Sequence, residues 1–179
     1  MPTAEEFNAN MNFLLAQYES GFTALLTAVK SMVSEITVRV FDEGLNTQGE
    51  DMLSKSPYST KPIYISPSKV PGASGNDIGK RGTKIQSYYF PEGYKQLKET
   101  INRADKPLEL TLNLRNDWSN ANIEQSGNIV TVSLGKDINA DKTEGLSKKF
   151  GVFFSANQDE IDLLLDVLSF ELTNDFNNL

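Results

Sequence analysis

The first forty residues constrain the fold of this chain more than any other feature. Apolar side chains recur at Phe7, Met11, Leu14, Tyr18, Phe22, Leu25, Val29, Val33, Ile36 and Val40, in steps of 4, 3 and 4 repeated three times. An 11-residue period is about 3.67 residues per turn, which keeps one apolar stripe in line on a nearly straight α-helix. Leu15, Leu26 and Met32 widen that stripe. Thr3 followed by Glu6 has capping-box spacing and marks a helix start. A helix from Thr3 to Phe41 would run roughly 58 Å, whereas a compact domain of this length is only about 40 Å across. The helix is therefore expected to outrun its own domain and to bury part of its stripe, Leu14 and Leu25 included, against other chains. The alternatives are a break at Gly21 or a switch to strand at Ile36–Phe41, where ITVRVF is rich in β-branched residues.

From Gly44 to Tyr88 six glycines and four prolines punctuate the chain. Pro62–Ser66 reads as a short strand, and Pro67–Gln86 as one long irregular loop whose Gly and Pro content suits ordering by neighbours. Gly79-Lys-Arg-Gly-Thr-Lys84 contains Gly and Lys but lacks the spacing and the strand–helix frame of a phosphate loop. Phe90-Pro91-Glu92-Gly93 opens a helix with Tyr94, Leu97 and Ile101 on one face. Leu108, Leu110, Leu112 and Leu114 alternate as in a half-buried strand. Ile129–Leu134 forms another after the Ser126–Asn128 turn, with Ile123–Gln125 in a hairpin. A polar stretch, Lys136–Lys149, precedes Phe150–Phe154. Ser155 with Gln158 then has capping-box spacing before a last helix with Ile161, Leu164, Leu165, Leu168, Leu172 and Phe176 as its buried face. The sum is one α+β domain over residues 1–179. A long N-terminal amphipathic helix occupies 1–43, an extended loop region 44–88, and a helix, a small mostly antiparallel sheet and a packed C-terminal helix 89–179.

The chemistry available is narrow. Among 179 residues there is no His and no Cys, which removes the usual general base, thiolates, disulfides and the commonest metal ligands. Carboxylates remain, and Asp159/Glu160/Asp162 or Asp42/Glu43 with Glu50/Asp51 are the candidates for an acid pair or cation site. Both groups fall at helix ends or turns, where acids serve capping. No catalytic residue, cofactor or metal is expected. Trp118 reads as a core-edge aromatic with its N–H satisfied, or else as an interface anchor. No apolar run approaches a membrane span, and the polar start MPTAEEFNAN does not read as a secretory signal, so a cytosolic origin is expected.

Charge is divided unevenly. Ser54–Tyr88 has six bases against Asp77, a net +5, so the rest of a chain at −7 nets −12. Ser155–Leu179 holds six acids and no base. Such blocks either face water or set the orientation of a contact between subunits. The second reading pairs Lys80, Arg81 and Lys84 with Asp162 and Asp166. Aromatics beside the basic loop, Tyr88, Tyr89, Phe90 and Tyr94, also suit a contact with single-stranded nucleic acid.

Several phrases taken together, RVFDEG, QGEDMLSKSPYSTKPIYIS, YYFPEGYKQLKE, LTLNLRNDW and KKFGVFFSANQDEID, cover most of the chain. In this order the chain resembles the tail-completion or virion-morphogenesis proteins of tailed bacteriophages. It is also similar to the neck or ring proteins of crAss-like phages. The resemblance implies a non-enzymatic virion component that forms a homo-oligomeric ring at the head–tail junction. Its partners would be other neck, portal-adaptor or tail proteins, with a passing contact with genomic DNA and none with membrane. It would be assembled in the host cytoplasm. A nucleic-acid-contacting loop protein of the DNA channel and a carboxylate-dependent, glycan-cleaving virion enzyme are the alternatives.

Overall fold

The computed structural model describes residues 4–69, 76–81, 84–108, 112–126 and 129–177, with side chains described for 21–69, 87–108, 112–126 and 129–175. The N-terminal helix forms as α1, Ala4–Thr37, without a break at Gly21, and passes directly into a π-helical turn, Val38–Glu43. ITVRVF is thus helical rather than extended. Val29, Val33, Ile36 and Val40 are buried at helical spacing, and that packing outweighs the modest β-preference of branched residues. Thr3, the expected cap, lies outside the described residues. Gly44 ends the run at φ +74°, and the Gly44 and Leu45 N–H groups both donate to the Arg39 carbonyl. No helix among the described residues is long and apolar enough to cross a membrane.

The fold is a mixture of helices and two small antiparallel sheets, arranged as two compact units: Met1–Glu35 with Ala156–Leu179, and Ile36–Ser155. The first unit contains α1 up to Glu35 and a last helix, α6, Gln158–Asn177. A Cβ placed on Gly21 would lie 3.9 Å from Leu172 Cδ2, so the two helices touch there. The capping box of α6 is Asn157 with Glu160, not Ser155 with Gln158. Asn157 Oδ1 accepts from the Glu160 N–H at 2.9 Å, and Glu160 Oε2 accepts from the Asn157 N–H at 2.8 Å. Asn157 is the residue before the first helical position, from which its oxygen reaches the orphan N–H of the third residue in the first turn.

In the second unit, β1 (Ile63–Ile65), β2 (Asn76–Arg81) and β3 (Lys84–Phe90) form a three-stranded antiparallel sheet in the order β1-β3-β2. The long irregular loop expected over Pro67–Gln86 is therefore corrected: most of its described part is sheet, preceded by a 3-10 turn at Pro67–Lys69. The register shifts on both sides of Gly79, a bulge that blurs the alternation by which a strand is recognised. Phe90 of β3 and Leu97 of α3 (Gly93–Thr100) are fully buried, with Ile63, Ile65, Tyr88, Tyr94 and Ile101 packed on them. The leucine run is corrected too. Residues 109–111 lie outside the description, but Leu112 is left-handed at φ +61° and Asn113–Ser119 is a helix, α4. Leu114 and Trp118, four apart, are its buried face. The hairpin forms as β4 (Asn122–Ser126) against β5 (Ile129–Ser133), with Ile123 opposite Val132. The polar stretch after it is a helix, α5 (Asp137–Phe150), which buries only Asn139 and Phe150 and so carries a weak apolar pattern.

Gly93 gives a direct test of this packing. It sits at φ +73°, and a Cβ there would lie 2.6 Å from the Ser59 carbonyl oxygen. Gly93→Ala is expected to cost about 2–4 kcal/mol, through both the left-handed backbone and the displaced 59–61 segment. Urea unfolding followed by circular dichroism would measure it, and a midpoint equal to wild type would contradict this packing.

Candidate interaction surfaces

The surfaces of the second unit are held in place by a buried cation. Arg39, only 5% exposed, donates from Nη1 to the Leu45 carbonyl at 3.2 Å and from Nη2 to the Phe153 and Ser155 carbonyls at 3.0 Å each. Asn46, wholly buried, donates from Nδ2 to the Phe150 carbonyl at 3.1 Å and to Glu50 Oε2 at 2.8 Å. Its Oδ1 accepts the Gln48 and Glu50 N–H groups at 3.0 Å each. Gly151, at φ +85°, passes so close that a Cβ would lie 2.8 Å from Asn46 Nδ2. Above this polar layer Trp118 stacks on Phe154, with centroids 4.1 Å apart and planes at 9°, and Phe41 and Phe153 close the cluster.

Five of the seven candidate carboxylates, Asp42, Glu50, Asp51, Glu160 and Asp162, have structural partners. Asp42 accepts both terminal nitrogens of Arg115 at 2.9 Å, a two-point ion pair. Asp51 caps α2 (Met52–Lys55), accepting the Leu53 and Ser54 N–H groups at 2.7 and 3.2 Å. The Ser54 and Leu53 N–H bonds hold the Asp51 carboxyl below its ordinary range. Glu50 is lowered likewise, first by its bond from Lys55. Glu160 closes the α6 capping box, and Asp162 Oδ1 accepts from Gln158 Nε2 at 2.7 Å. Among the described residues no three carboxylates converge as a cation would require.

The outward-facing features are different in the two units. In the first, α6 carries apolar residues over one wide arc, from Phe170 and Leu163 through Val167, Leu164 and Leu168 to Ile161, Leu172 and Leu165. The expected buried face is corrected in part. Ile161 is 40% and Leu165 54% exposed, while Leu164, Leu168 and Leu172 are half-buried. The Phe176 side chain lies outside the described set. Phe170 is 63% exposed. Asp162 and Asp166, on the remaining polar arc, face outward. In α1, Phe22 is exposed and Leu25 half-buried, while the Leu14 side chain lies outside the description. This unit carries ten acids against Lys30, a net charge of −9, and the second unit, with 14 acids and 16 bases, nets +2.

The second unit presents the basic segment on its three-stranded sheet. Arg81 pairs with Lys84 and Lys80 with Ile85, so β2 and β3 bring the three predicted bases to one end of a ladder, although their side chains lie outside the description. Tyr64 is 65% exposed and stacks on Tyr89, its cross-strand neighbour, at 4.9 Å. Beside the sheet a cleft of about 660 Å³ is lined by Lys69, Tyr94, Leu112, Leu114, Lys142 and Leu146, among others. Sequence reasoning did not find this cleft, because α4 and α5, which supply half of its lining, were not recognised as helices. No family model, curated protein or solved structure matches the chain.

Two buried polar atoms have no partner among the described residues, Trp118 Nε1 and Tyr58 Oη. The expectation of a satisfied indole N–H is thus corrected, because the flat stack on Phe154 fixes the ring and points the nitrogen into the packed interior. Trp118→Phe keeps most of the stack and removes the orphan donor, so it should cost less than about 1.5 kcal/mol. Trp118→Ala should cost about 3–5 kcal/mol, and urea melts of the two variants would separate these outcomes. Burial drives the Tyr58 phenol well above its ordinary range, helped by Tyr94 and Asp105, and burial raises Tyr94 as well. Phenols that ionise more readily unfolded than folded contribute stability that is intact below the ordinary tyrosine pKa and lost as pH rises through the folded one. Stability should therefore fall above about pH 10, and Tyr58→Phe should reduce that fall in denaturation measured from pH 8 to 11.

Proposed function

We propose that the chain is a structural subunit of a tailed-bacteriophage virion, self-associating into a ring at the head–tail junction and contacting neck, portal-adaptor or tail proteins there. The observation that carries this reading is the coincidence of the charge division with the division into units. A net −9 helical unit leaves Phe170, Leu165 and Ile161 exposed, while the other unit is net positive and presents the basic sheet. A copy with two unlike surfaces favours head-to-tail contact, which closes into a ring when the rotation allows. The phage resemblance of the chain points the same way. Exposed ion pairs are worth only about 0–1 kcal/mol each, so the apolar residues hold such a contact and charge sets its direction.

Mass photometry of the purified chain and immunolabelled negative-stain images of virions test the reading. Rings, and label at the neck, are expected; a chain that stays monomeric and never copurifies with particles would sink it. Reversing Asp162 and Asp166 to Lys should slow assembly at low salt, and Lys80, Arg81 and Lys84 reversed to Glu in the same chain should partly restore it. Two folded variants with no recovery would remove the charge register alone.

A second reading is supported by the stacked Tyr64–Tyr89 pair, Tyr64 exposed and Tyr89 half-buried, on a sheet that belongs to the +5 segment, a combination suited to stacking bases and neutralising phosphates. It predicts an affinity for single-stranded DNA that falls steeply with salt and is lost in Tyr64→Ala.

A further inference from the structure

We infer that the cleft between α4, α5 and the Pro67–Lys69 turn is the socket for helix α6 of a second copy, with Phe170 as the inserted side chain. The inference rests on the ring reading and names the two surfaces that would meet. The cleft has an apolar wall of Leu112, Leu114, Leu146 and Tyr94, with exposed lysines, Lys69 and Lys142, at its edge. Its volume of about 660 Å³ is ample for one aromatic side chain and its neighbours. Lys69 also belongs to the +5 segment, and the charged side chains that line the cleft, Lys69 and Lys142, are both basic.

The occupant should be apolar at its centre and acidic around it. Phe170 is the most exposed phenylalanine of the chain's described residues at 63%, and on the same helix stand Asp166 and Glu171, next to a set of acids with no base. A large aromatic set in a pocket, ringed by complementary charge, is the usual form of a dominant interface contact. Pairing of two α6 helices is disfavoured instead, since it would bring two units of −9 together. The match of an acidic, aromatic helix to a lysine-edged apolar cleft gives the two unlike surfaces that a head-to-tail contact requires.

The experiment uses the full chain with Phe170 replaced by p-benzoylphenylalanine, assembled from equal parts of isotopically light and heavy protein and irradiated. The expected result is light–heavy crosslinks from position 170 to residues within 107–114 or 139–146. Assemblies whose crosslinks join position 170 to α1 or α6 of another copy, or only to its own chain, would overturn the socket and leave the ring reading standing. A wild-type chain that never assembles overturns both. In parallel, Phe170→Ala should weaken self-association roughly tenfold or more, with helical content unchanged because the side chain is exposed in the single copy. Unchanged self-association in that variant would overturn the inference as well.

Discussion

The fold of the larger unit depends on one buried guanidinium. Arg39 binds carbonyls of residues 45, 153 and 155, and the last two lie 114 and 116 positions away in the chain. Arginine suits this role because its planar group carries several donors in fixed directions and stays charged when desolvated. Leaving those carbonyls unpaired in the interior would cost far more than a surface hydrogen bond contributes. The Phe153–Phe154 segment is thereby fixed, and with it the stack on Trp118 and the position of α4. Asn46 repeats the solution in the segment after the helix of Arg39 ends, bonding the Phe150 carbonyl where Gly151 leaves room for it. The π-helical turn that carries Arg39 is part of the same device: it places Arg39, Val40 and Phe41, three residues in a row, in the interior.

The smaller unit is built on the opposite logic. It has one base in 59 residues and a wide apolar arc on its last helix. A helix apolar over so much of its circumference needs cover from more than one direction, and a single partner helix supplies cover from one. In the proposed ring, like charge would disfavour pairing of this unit with its own kind in another copy, so electrostatics would restrict which contact forms and apolar burial how firmly it holds.

What the sequence determined by itself is local. The 11-residue stripe specified a helix through Val40 because positions three and four apart share a face wherever the chain is helical. The β4–β5 hairpin, the Tyr94–Leu97–Ile101 face and the charge blocks were legible for the same reason: each signal is complete within a few neighbouring residues. Where local signals were ambiguous they misled. Alternating leucines match a strand, yet Leu114 and Trp118 match a helix equally well, and the partners of Trp118 decide between them. A bulge at Gly79 hid two strands inside an apparent loop.

Only the tertiary structure decided the rest. Nothing near Arg39 in the chain marks it as buried, since its acceptors are carbonyls, which every residue has, brought in from far along the sequence. The cleft beside Lys69 and Lys142 combines residues 68–146, and no segment shorter than that contains its shape. The residue types of the proposed contact, acids on α6 and bases at 80–84, could be read from composition. Which apolar side chains remain uncovered to hold it is a property of packing, because exposure is set by what other parts of the chain leave open.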